Sequence, residues 1–145
     1  PNISPKIYRE QILPWEQKIH DVYGNLVYYH NCGPIDAFLH DITTFKNLDL
    51  IHSGPFSDYR KVGEHFHEKA PIELHLRPEQ DFITCSEKEF EKRLLSIKEN
   101  YSELGVQSYC IRVTTYKHPN LPTEQNLLKL KRWCEISNQV LLQKK

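Results

Sequence analysis

The sequence predicts an α/β protein in which one helix is followed by four βα units with parallel strands, half of a (β/α)8 barrel. Three observations lead there. Helical and strand patterns alternate with short connections over 145 residues, about one domain. No glycine-rich phosphate turn follows a strand, which disfavours a dinucleotide-binding fold. The strands also divide into a polar and an apolar face, as the lining and outer wall of a barrel do.

The elements follow in order. "SPKIYREQILPWEQKIHDVYG" opens with Ser4 as N-cap and Pro5 at the first helical position, and Ile7, Tyr8, Ile12, Trp15 and Ile19 recur at helical spacing. Pro14 is expected to kink or split this helix. "NLVYYH" reads as the first strand, rich in β-branched and aromatic residues. Pro34 starts a helix whose Phe38, Leu39, Ile42 and Phe45 share one face. "LDLIHS" is the second strand, "FSDYRKVGEHF" a short helix capped by Ser57, and "IELHLR" the third strand. In "SEKEFEKRLLSIKENYSELG", Ser86 and Glu89 form a capping box, Phe90, Leu94, Ile97, Tyr101 and Leu104 line one face, and Gly105 stops the helix. "QSYCIRVTT" is the fourth strand. After a loop with His118 and Pro119, Thr123 caps a last amphipathic helix through Leu127, Leu130, Trp133, Ile136 and Val140. Strands separated by helices pair in parallel.

Strand parity sets the faces. Glu73, His75 and Arg77 alternate with Ile72, Leu74 and Leu76; Cys110, Arg112 and Thr114 alternate with Tyr109, Ile111 and Val113. The polar set suits a barrel's interior and mouth. The competing reading, a solvated sheet face, is disfavoured because parallel sheets are normally covered on both sides.

Composition excludes several classes. Lysine plus arginine equal aspartate plus glutamate at 19 each, so nothing argues for nucleic acid or an anionic membrane surface. Apolar runs are too short to span a bilayer. No charged-then-apolar leader opens the chain, so a cytoplasmic protein is expected. Cys32, Cys85, Cys110 and Cys134 are too sparse for a disulfide framework and read as reduced thiols. The chain begins "PNISPKIYRE" and lacks methionine, so residues 1–145 are expected to be a single fragment of a longer protein.

"YYHNCGPIDAFLH" holds a histidine and a cysteine two apart at a strand's carboxyl end. On extended backbone His30 and Cys32 point the same way, and Gly33 lets the chain turn away. Imidazole plus thiolate suits zinc, and a catalytic zinc takes three protein ligands and keeps one position open. The bland reading is a strand-end histidine beside an inert cysteine. No second pair of ligands stands nearby, so a structural four-ligand finger is not expected. His52 and Asp58 bracket "SGPFSD" and are candidates to orient substrate, Asp58 alternatively favouring the helix start. His75 and Arg77 are candidates to bind an anionic group, or belong to an interior polar network. Cys85 and Cys134 read as structural.

"ISPKIYREQILPWEQKI", "HNCG", "LDLIHSGPFSD", "LHLRPEQDFITCSEKEFEKRL" and "LPTEQN" together resemble the carboxyl-terminal half of the uroporphyrinogen decarboxylase superfamily, and within it the corrinoid-dependent methyltransferase branch. The resemblance spans nearly the whole chain. It implies roughly strands five to eight of a (β/α)8 barrel, with the amino-terminal half as the missing partner. It further implies that His30 and Cys32 bind zinc, which activates a small thiol acceptor such as coenzyme M to take a methyl group from a methylated corrinoid protein. The third cysteine of that branch, counted back from "PTEQN", falls near Thr114 or Thr115. The nearest cysteine here is Cys110, about 13 Å deeper along a strand; His52, His75, His118 or the missing half are the other sources. Two rival functions stay open: a decarboxylase-type lyase acting on a tetrapyrrole, and a non-catalytic barrel that holds a corrinoid or tetrapyrrole. The isolated chain is expected to be inactive and to self-associate through its open edges.

Overall fold

The structure, a computed structural model, describes residues 3–113 and 120–142. Thr114, Thr115, His118 and Pro119, which the sequence placed at the last strand end and its loop, lie outside the described residues. Three parallel strands, β1 (Ile51–Ser53), β2 (Ile72–His75) and β3 (Tyr109–Arg112), lie in the order β1-β2-β3, with a helix between each pair. The protein is therefore α/β.

The amino-terminal helix runs as α1 (Pro5–Ile7), a π-helical segment (Tyr8–Ile12) and α2 (Leu13–Tyr23). Ser4 Oγ accepts from Ile7 N at 3.2 Å, as its cap role requires. Pro14 ends up in the first turn of α2, directly after the π segment. A wider π turn stands just before it, so the helix is split there into α1 and α2, as expected of Pro14. The expected apolar stripe splits. Tyr8 is buried, but Trp15 is 63% and Ile19 55% exposed, because no described element packs against that side.

Residues 25–30 do not form the expected strand. They run beside β1 through two isolated parallel bridges, Leu26↔Leu48 and Tyr29↔Ile51. Leu26 and Tyr29 both pack against the core. A three-residue step between two inward side chains does not fit a two-residue pleat, so the chain bends at Val27 and the ladder breaks. The next helix is also shorter than its pattern: a 3₁₀ turn (Asp36–Phe38) leads into α3 (Leu39–Ile42). Its apolar residues are nevertheless buried as expected, with Ile35, Phe38, Leu39, Ile42 and Phe45 all in the core.

Helix α4 (Tyr59–Phe66) is capped by Asp58 rather than Ser57: the Asp58 carboxylate accepts from Arg60 N at 3.0 Å and Lys61 N at 3.4 Å. The Ser57 hydroxyl instead accepts from Ile35 N, tying α3's approach to the α4 turn. An unforeseen π turn (Glu79–Ile83) follows β2. Helix α5 (Glu87–Glu103) carries the full capping box, and Gly105 at φ 73 closes it in the left-handed region. Helix α6 begins at Thr123 and runs to Leu142, so Thr123 is its first residue, not its cap.

Ile51, Ile72, Leu74 and Leu76 form the apolar face and meet Val62 and Phe66 of α4 and Phe90, Leu94, Ile97 and Tyr101 of α5. Trp133 of α6 stacks on Phe90 with centroids 3.3 Å apart and meets Phe82 edge-on. Burying these rings and aliphatic chains supplies the main driving force for docking the helices, about 1.5–3 kcal/mol per large side chain. The opposite face is polar, and its exposed groups include Tyr28, Cys110 and Arg112. No described helix is long and apolar enough to cross a membrane.

A polar cluster at the carboxyl ends of the strands

Parallel register lines up the polar residues. His52 pairs with Glu73, and Glu73 with Cys110; two residues on, His75 pairs with Arg112. Because Tyr29 bridges Ile51, His30 comes to lie beside His52, and their ring centroids are 4.3 Å apart. Tyr28, two residues before His30, reaches the same face.

Glu73 is the hub. It accepts from Tyr28 Oη, from His52 Nδ1 at 2.8 Å and from Arg112 Nη1 at 3.3 Å. Burial pushes its carboxyl up, but the hydrogen bonds from Tyr28 and His52 and the Arg112 charge outweigh that and hold it below the usual value. Burial and the Glu73 hydrogen bond push the Tyr28 hydroxyl up to about 12. His52 and His75 are both buried, and desolvation lowers both imidazoles below their ordinary value; the Glu73 hydrogen bond only partly opposes this at His52. Neither His52 Nε2 nor His75 Nε2 has a hydrogen-bond partner among the described residues.

His30 and Cys32 behave differently, since both are exposed. His30 Nε2 lies 3.2 Å from Cys32 Sγ, and His30 Nδ1 lies 3.1 Å from Tyr28 Oη. The turn that carries them closes through Asn31 Oδ1, which accepts from Gly33 N at 2.8 Å. Gly54 lets this turn sit against the end of β1. A Cβ at Gly54 would lie 3.0 Å from the Asn31 carbonyl oxygen and 3.5 Å from those of Cys32 and Gly33, and backbone cannot swing aside as a side chain does.

Of the residues singled out in the sequence, the structure gathers His30, Cys32, His52 and His75. Cys110 stays apart from the pair: it lies three rows from His30, about 14 Å at ordinary strand spacing. Burial, and then the Glu73 charge, raise its thiol. Among the described residues no group of three or more His, Cys, Asp or Glu side chains is placed to hold a metal ion. Asp58 is a helix cap. Arg77 clamps a loop, donating from Nε to the Pro55 carbonyl at 2.8 Å and from Nη1 to Gln80 at 3.1 Å. Sequence reasoning placed Glu73 and Arg112 on the right face without giving them a role, and it missed Tyr28. The available signal was alternation: Tyr28, His30 and Cys32 are spaced two apart.

Chemically, the cluster pairs a solvent-facing imidazole and thiol with an ionised, multiply hydrogen-bonded carboxylate behind them. No protein-family model, no curated protein and no solved structure matches the chain.

Proposed function

We propose that this chain is the carboxyl-terminal half of a uroporphyrinogen decarboxylase-like (β/α)8 barrel of the corrinoid-dependent methyltransferase type, with His30 and Cys32 as two of its zinc ligands. The observation that carries the reading is the convergence of His30 Nε2 and Cys32 Sγ to 3.2 Å on an exposed rim. In tetrahedral zinc sites the N···S edge is about 3.6 Å, so the two donors stand within a few tenths of an ångström of a shared coordination sphere. The donor types fit: borderline imidazole and soft thiolate suit zinc. With Cys110 three strand rows away, the third donor comes from another histidine of the chain or from the other half of the barrel. Sequential parallel strand order, with helices on the apolar face and polar residues on the other, supports the barrel reading.

Zinc held there supplies a Lewis acid that keeps an acceptor thiol deprotonated near neutral pH. The chain's own residues do the rest. Cys32 and His30 bind from one turn, Gly54 lets that turn lie close to β1, and Glu73 anchors the side chains behind it. The methyl donor is a methylated corrinoid protein docked over the rim, and the acceptor a small thiol.

Zinc analysis of the full-length protein tests this. About one zinc per chain is expected, lost in His30→Ala and in Cys32→Ala. Zinc content unchanged in both variants overturns the assignment, and metal-free turnover of a tetrapyrrole establishes the lyase instead.

A further inference from the structure

We infer that Tyr28 and Glu73 form a positioning pair that fixes neutral His30 as its Nδ1–H tautomer and leaves Nε2 bare toward Cys32. The tautomer follows from hydrogen-bond geometry alone; its consequence for metal affinity rests on the zinc reading above.

The argument is a count of protons. Glu73 receives Tyr28, His52 and Arg112 as donors, and a carboxylate so surrounded is ionised and only accepts. Tyr28 has one hydroxyl proton, and it points to Glu73 Oε2. Its oxygen then has only lone pairs to offer elsewhere. His30 Nδ1, 3.1 Å away, must therefore carry the proton it shares with Tyr28 Oη. His52 Nδ1 faces two acceptors, Glu73 Oε2 at 2.8 Å and Tyr28 Oη at 3.3 Å, so it too is protonated at Nδ1. The neutral ring of His30 is left with a lone pair on Nε2, and that atom faces Cys32 Sγ.

A ligating histidine is normally oriented by a partner on its other nitrogen, often a carboxylate. Here the carboxylate acts through a tyrosine, and Tyr28 and Glu73 lie 45 residues apart in the chain. Without the Tyr28 hydroxyl, Nδ1 of His30 loses its acceptor and the proton is free to move to Nε2. There it points at the sulfur and occupies the lone pair a metal needs.

The test is imidazole ¹⁵N NMR on the metal-free full-length protein, which distinguishes Nδ1–H from Nε2–H, combined with zinc titration of wild type and Tyr28→Phe. Wild-type His30 is expected as Nδ1–H, and Tyr28→Phe is expected to lose that preference and bind zinc roughly 10-fold or more weakly. An Nε2–H tautomer in wild type, or an unchanged Nδ1–H in Tyr28→Phe, overturns the inference. If Tyr28→Phe does not fold, the wild-type spectrum alone decides. Zinc that fails to bind wild type defeats the methyltransferase reading while the tautomer result stands. Equal zinc affinity in wild type and Tyr28→Phe defeats the positioning role.

Discussion

At the residue scale, His52 and His75 are buried neutral imidazoles, and this makes the fold sensitive to acid. Both have lowered folded values, chiefly from desolvation. Above the unfolded value, about 6.5, neither state carries the proton and pH has no effect through these groups. Below it, the unfolded chain takes up protons that the folded chain refuses, so stability falls as pH drops from there toward the lowered folded values. Glu73 acts in the same direction further into acid. Its lowered value contributes stability above the ordinary carboxylate range, and that is lost as pH falls through the folded value. Urea midpoints measured from about pH 7 down to about pH 5 are expected to decline, and to decline less steeply in His75→Leu, which removes one buried titrating ring. Equal slopes in the two proteins would show that His75 is not a source of the effect.

At the element scale, capping and turn chemistry decide where helices begin. Asp58 satisfies two amide groups at the start of α4, so Asp58→Ala is expected to cost about 1 kcal/mol in denaturant unfolding with an unchanged m-value. Ser57→Ala removes only the single bond from Ile35 N and should cost less. The two residues are adjacent, and both are good caps by type, so composition alone did not choose between them. The capping box at Ser86 and Glu89 was legible because both of its halves lie within one turn. The break in residues 25–30 was not. Their β-branched and aromatic content favours a strand, but Leu26 and Tyr29 must both reach one core, and that demand appears only when the core exists. The π turns escaped for a similar reason, since nothing in local propensity distinguishes them from an ordinary helical turn.

On the scale of the whole molecule, three features await cover. Trp15, Ile19, Val22 and Tyr23 on α2 are each more than half exposed. Strand β3 is an edge among the described residues, and beside it a groove of about 530 Å³ runs against α6, with Tyr109, Ile111, Leu141 and Leu142 in its lining. The polar face carries Cys110 and Arg112 exposed, unlike the two-sided burial usual for parallel strands. Open edges and apolar patches of this kind favour association. Solution scattering on this chain is expected to give a dimer or larger species, and a monodisperse monomer at high concentration would count against it.

What the sequence alone determined is local: the α/β alternation, the parity of β2 and β3, the capping box, and the shared direction of His30 and Cys32. These depend on periods of two and 3.6 residues and on pairs within one turn, so neighbouring letters contain the information. Tertiary structure alone decided that Tyr28, His52, Glu73 and Arg112 meet, that Asp58 and Arg77 are spent on caps and loops, and that Trp15 and Ile19 stay outside. Strand register and helix docking are set by burying one shared core among segments tens of residues apart, and no short stretch of chain encodes which groups will then stand side by side.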